Sequence, residues 1–111
     1  MQITWEDFQR VHIMTGTICE ASVHTAARKP SYKLLVDMGP GLGLRKSSAQ
    51  ITELYTPGEL LGKQVICVTN FGVKNIAGWD SEVLVTGFPD KEGRVVLAVT
   101  DQKVPDGQRL Y

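Results

Sequence analysis

The apolar positions of this chain recur mostly with the period of two that belongs to strands. Residues 32–38 show it most clearly. Lys33, Leu35 and Asp37 fall on one face, and Tyr32, Leu34, Val36 and Met38 on the other. The chain opens differently. Thr4 and Asp7 stand at capping-box spacing, with Asp at the last position, and Glu6 and Asp7 suit the positive end of a helix dipole. Trp5, Phe8 and Val11 give that short helix one apolar side. Residues 13–24 are rich in β-branched side chains around Gly16, which predicts a long strand that bends or bulges at the glycine. Gly39–Gly43 reads as a turn, and 42–48 as the next strand. Thr56–Gly62 reads as one helical turn stopped by Gly62. A continuous apolar strand is expected at 64–69, a loop at 70–79, and strands at 82–86 and 95–99. A turn at 104–107 leads to the end of the chain.

This order gives five main strands, the first long, with a short helix between the third and fourth. A sandwich needs about seven strands, and a βαβ fold needs longer helices. The expected fold is all-β: a five-stranded OB-fold barrel with a short N-terminal helix and a short helix between strands 3 and 4. With 111 residues the chain forms one domain, 1–111. Hydrophobic residues at 42% and charged residues at 22% exclude disordered and collagen-like classes. No apolar run approaches the roughly 18 residues of a membrane helix, so no membrane insertion is expected. The opening MQITWEDFQR lacks the basic start and apolar stretch of an export signal, which implies a cytoplasmic protein.

Twelve basic and twelve acidic residues cancel, which argues against non-specific coating of nucleic acid. The distribution is uneven. Arg28, Lys29, Lys33, Arg45 and Lys46 face only Asp37 between positions 28 and 46, a local net of +4. Such a cluster is either a confined anionic contact or a solvated strand face. Cys19 and Cys67 sit in strand-like runs outside any CxxC pair and read as reduced thiols. His12 and His24 adjoin no nucleophile motif, and neither G-x-S-x-G nor HExxH occurs. Asp37 with Glu53, and Asp80 with Glu82, read as surface acids rather than acid–base pairs. Gly39–Ser47 fails the phosphate-loop spacing, because Leu44 and Arg45 follow its last glycine. No catalytic residue, metal site or cofactor is expected.

A binding surface remains. Tyr32, Phe71 and Trp79 lie in polar or loop contexts, Phe71 beside a glycine and Trp79 after one. Each either contacts a ligand base or apolar side chain, or caps the barrel core. Lys74 stands between Phe71 and Trp79, so one segment offers a cation and apolar area together.

The segments Met14–Ile18, Tyr55–Lys63, Val68–Phe71, Lys74–Gly78 and Ser81–Leu84 resemble the tRNA-binding domain superfamily. That superfamily includes free-standing dimeric tRNA-binding proteins and domains appended to methionyl- and phenylalanyl-tRNA synthetases. Arg28–Pro30, Lys46–Thr52 and Ile76–Val85 resemble its CsaA branch, described as secretion chaperones. The resemblance implies an OB fold working as a homodimer, with N- and C-terminal elements at the interface. Trp5 and Phe8, which have little else to cover in so small a barrel, are the expected interface residues. Asn70, Lys74, Gly78 and Ser81 match the tRNA-binding pattern. Phe71 stands for its aliphatic residue, Val73 for its proline, Val83 for its glycine, Leu84 for its methionine, and Ala49-Gln50 for its Ser-Gly. A changed glycine alters how closely backbone and ligand approach.

Three functions follow. The first is a CsaA-like protein-export chaperone, a homodimer binding extended preprotein segments through Phe71, Trp79 and Tyr32. Arg28, Lys29, Lys33, Arg45, Lys46 and Lys74 would steer acidic or polar flanks. The alternative is a structure-specific tRNA-binding protein, with the same cations on phosphates and Asn70 and Ser81 near sugar or base edges. The third is an adaptor docking on a synthetase or the translocation motor.

Overall fold

The computed structural model describes residues 1–111. Helix α1 (Trp5–Gln9) carries the expected capping box: Asp7 N donates to Thr4 Oγ1 and Thr4 N to Asp7 Oδ2, both at 3.1 Å. Strand β1 (Ile13–Val23) is the spine of the barrel. Its first half pairs with β4 (Gln64–Val68), and its second half with β2 (Tyr32–Asp37), both antiparallel. The strand does turn between partners, but the extra residue is not Gly16. The register passes from Ile18↔Val36 to Glu20↔Leu35, so Cys19 is the bulge. Gly16 serves close packing instead. A Cβ there would lie 2.4 Å from Met38 Sδ and 2.7 Å from Val36 Cγ1.

Strand β2 alternates as expected, with Tyr32, Leu34 and Val36 buried and Lys33, Leu35 and Asp37 half-buried. The turn expected at 39–43 tightens into one helical turn, α2 (Gly39–Leu42), before β3 (Leu44–Ala49). Helix α3 (Pro57–Leu60) lies between β3 and β4, boxed by Thr56 and Glu59, and Leu60 is fully buried against the barrel core.

The segment expected as a loop over 70–79 contains a hairpin. Its strands are β5 (Lys74–Ile76) and β6 (Trp79–Ser81), paired Lys74↔Ser81, Asn75↔Asp80 and Ile76↔Trp79. Ala77 and Gly78 form the two-residue turn with φ of 48° and 87°. Both central residues at positive φ fit a hairpin turn of the primed type, in which Gly is common and Ala is not. The strand expected at 82–86 is divided. Glu82 N and Val83 N donate to Lys46 O of β3 at 2.8 and 3.3 Å, while β7 (Leu84–Val85) pairs with β4. This one short segment thus bridges the two ends of the sheet β3-β2-β1-β4-β7 and nearly closes it. Strands β8 (Gly87–Pro89) and β9 (Val95–Leu97) form a second hairpin, and Val99 adds a bridge to Val65.

The core gathers Ile18, Leu34, Val36, Met38, Leu60 and Val65 inside the barrel. The protein is all-β with a few short helices, in an OB-fold barrel. No helix is long and apolar enough to cross a membrane. The C-terminal segment lies along β1, with Leu110 N donating to Ile13 O at 2.8 Å and Arg109 donating to Gln9 O.

Candidate functional site

The connection between β1 and β2, residues 24–31, lies beside the β5–β6 hairpin. Between them lies an open groove of about 930 Å³. Arg28 and Lys29 line it from the connection, and Phe71 and Lys74 from the hairpin arm, with Ser81 and Leu84 contributing nearby. Phe71 is 73% exposed and precedes Gly72, which has a positive φ of 85°. Ser81 has a structural partner as well, its Oγ accepting from Ser48 N at 3.1 Å.

Other expected site residues lie elsewhere. Tyr32 is only 6% exposed, and its hydroxyl donates to Tyr55 O at 2.6 Å, so its ring belongs to the core and offers no surface contact. Asn70 does not line the groove. Its Oδ1 accepts from His12 N at 3.0 Å and its Nδ2 donates to Arg10 O at 2.8 Å, fastening the end of α1 to the exit of β4. Arg45 lies outside the groove and donates to Leu44 O at 3.3 Å. Trp79 is half-buried, and its Nε1 donates to Ser47 O at 2.9 Å. Lys33 Nζ and Lys46 Nζ stand 5.1 and 4.8 Å from its ring centroid. That is a cation–π cluster separate from the groove lining. Within the basic run, Arg28 and Lys29 line the groove, while Lys33 and Lys46 stand over Trp79.

Several further residues at the groove were not among the expected contact residues. Ser48, Gln50, Asn75, Ile76 and Val83 line it, and so does Glu82, whose Oε1 accepts from Lys46 N at 2.9 Å. His24 is buried at the base of the connection. Its Nε2 lies 3.4 Å from Ala77 O at the hairpin tip, and its Nδ1 has no hydrogen-bond partner. Its backbone N donates to Ser31 O at 2.9 Å, so one residue ties both walls together.

Burial pushes the Cys67 thiol up to about 12. Desolvation, with the Asp37 and Glu20 carboxylates, also raises Cys19. Both shifts disfavour the thiolate form. No group of three His, Cys, Asp or Glu side chains is close enough to hold a metal ion.

At the N-terminal end, the Trp5 and Phe8 rings lie 5.3 Å apart and Trp5 is 59% exposed. No residue of α1 is buried. Another, smaller cleft of about 380 Å³ runs between the start of β1 and the C-terminal segment, lined by Ile13, Met14, Leu110 and Tyr111.

A family model described as a putative tRNA binding domain matches residues 13–109. The crystal structure of chaperone CsaA from Bacillus anthracis is similar at TM-score 0.91 and 39% identity, covering 100% of both chains. That of the CsaA chaperone protein from Picrophilus torridus is similar at TM-score 0.91 and 42% identity, covering 99% of this chain and 100% of the other. The methionine–tRNA ligase of Flavobacterium johnsoniae is 30% identical over 105 residues, 95% of this chain but 14% of the ligase, so this chain spans about a seventh of that curated relative's length.

Proposed function

Because this chain belongs to the tRNA-binding domain family and to its CsaA-type branch, we propose that it is a cytoplasmic, homodimeric export chaperone. It holds extended segments of unfolded preproteins and performs no catalytic step. The observation that carries this reading is the groove beside the β5–β6 hairpin. There an exposed Phe71 stands with Ile76 and Leu84, flanked by Arg28, Lys29 and Lys74. An extended chain laid in it covers aromatic and aliphatic area and keeps its backbone near solvent. Trp5 and Phe8, with the cleft around Leu110, supply the face on which a second copy sits. A dimer then offers two grooves to one long unfolded chain, and avidity follows. Delivery of the held chain to the translocation motor is the step this activity serves. Titrating a labelled unfolded preprotein segment against the protein and its Phe71→Ala variant tests the reading. The variant stays folded and binds more weakly.

A second reading, tRNA binding, is favoured by a different observation. Lys33 and Lys46 crowd the Trp79 ring, and neither is in an ion pair with a carboxylate. Two unpaired ammonium groups on a strand face suit phosphate contacts, and Trp79 fixes their positions. The measurement that separates this reading is the salt dependence of tRNA affinity when both lysines are replaced by Gln.

A further inference from the structure

We infer that the groove discriminates among extended polypeptides by charge, taking apolar segments flanked by acidic residues and rejecting those flanked by lysine or arginine. This rests on the peptide-binding reading of the groove and adds the class of segment it accepts.

Charge complementarity carries the argument. Three cations line the groove, Arg28 and Lys29 on one wall and Lys74 on the other. None is paired, since the ion pairs of the molecule are Arg10–Asp7, Arg94–Asp90 and Arg94–Glu92. The single acid in the lining is Glu82, and its carboxylate already accepts a hydrogen bond from Lys46 N. Asp80 stands on β6, where it accepts from Asn75 Nδ2 at 2.9 Å. The lining therefore keeps a net charge of +2 on a protein whose total is zero.

The apolar part of the lining, Phe71, Ile76 and Leu84, lies with those cations. A segment that buries an apolar side chain against it must bring its neighbouring residues close to Arg28, Lys29 or Lys74. Acidic neighbours meet unpaired cations, whereas basic neighbours meet a lining that stays net positive, because Glu82 offsets only one of its three cations. Secretory signals begin with a positively charged region. The groove's charge thus directs binding away from that region and toward apolar stretches with acidic neighbours farther along the chain.

The test uses synthetic peptides that share one apolar core and differ only in flanking residues, Asp, Gln or Lys, titrated by fluorescence anisotropy at low and high salt. The expected order of affinity is Asp over Gln over Lys. The Asp-to-Lys ratio should be on the order of tenfold at low salt and shrink as salt rises, because each contact is an exposed pair. Lys74→Gln and Arg28→Gln should each shrink that ratio. Equal affinity for all three, or tightest binding of the Lys-flanked peptide, overturns the charge selection and leaves peptide binding standing. Failure of all three peptides to bind overturns the peptide reading and this inference with it. An RNA oligonucleotide that binds with loss at Arg28→Gln, while the Gln-flanked peptide does not bind, assigns these cations to phosphate and also overturns it.

Discussion

Replacing Phe71 by alanine removes the largest exposed apolar surface at the groove. Its side chain lies outside the hydrophobic core, so truncation leaves no cavity. Folding stability should therefore change by no more than about 0.5 kcal/mol. Binding responds differently. Fully burying a Phe side chain is worth about 1.5–3 kcal/mol. Phe71 is 73% exposed, so a peptide covering all that area gains about 1–2 kcal/mol from it. The expected loss of affinity is then roughly 5- to 30-fold. The assay pairs a urea melt with an anisotropy titration of a labelled, Gln-flanked apolar peptide, chosen so that charge does not set the result. Unchanged affinity in a variant that melts like the parent would show that the peptide does not cover Phe71, because a groove that uses its aromatic wall cannot lose it without cost. A melt shifted by several kcal/mol would instead show Phe71 to be part of the packed structure.

Three further outcomes are expected. Replacing Lys33 and Lys46 together by Gln should flatten the slope of log affinity for tRNA against log salt by about 0.7–0.9 per lost phosphate contact; binding with an unmoved slope removes these lysines from the tRNA interface. Trp5→Glu combined with Phe8→Glu should convert a dimer into a folded monomer by sedimentation equilibrium, since it places charge on an apolar face that α1 leaves uncovered; a variant that remains dimeric puts the interface elsewhere. Gly16→Ala should destabilise the barrel by about 1–3 kcal/mol in a urea melt, as overpacking does. Met38 has a flexible end that can yield to the new Cβ, but the β-branched Val36 is stiff, and both are buried. A neutral Gly16→Ala would mean that β1 and β2 separate freely there.

Where local chemistry decides an element, the sequence already shows it. Thr4 and Asp7 place α1, the alternation from Tyr32 to Met38 orients β2, and Thr56 through Gly62 marks the turn around Leu60. What escaped depends on partners distant in sequence or on elements too short to show a period. Gly16 reads as a bend because a glycine in a strand permits one, but Val36 and Met38 are what require it, and the bulge falls at Cys19. The β5–β6 hairpin is hidden because its strands are three residues each and its turn puts Ala77, not Asn or Asp, at positive φ. Residues 82–86 change partner from β3 to β4 within a few positions, which no period reveals.

The same cause limits the reading of the site. Arg28, Lys29, Phe71 and Lys74 do converge on the groove. Lys33 and Lys46 meet at Trp79 instead, because β2 and β3 present them together to a residue that only the unforeseen hairpin brings there. Tyr32 follows the inward face of β2 into the core, as its alternation with Leu34 and Val36 requires. Asn70 matches a motif position, yet both ends of its amide are engaged by backbone of residues 10 and 12.

The most direct test of the central proposal is an amide chemical-shift map recorded as the Gln-flanked peptide is added to the isotopically labelled protein. A peptide seated in the groove places the largest changes at 27–31, 71–77 and 81–84, around Arg28, Phe71 and Lys74. Changes confined to Lys33, Lys46 and Trp79, or to the α1 face, would contradict the proposal, because the peptide would then occupy a surface other than the groove.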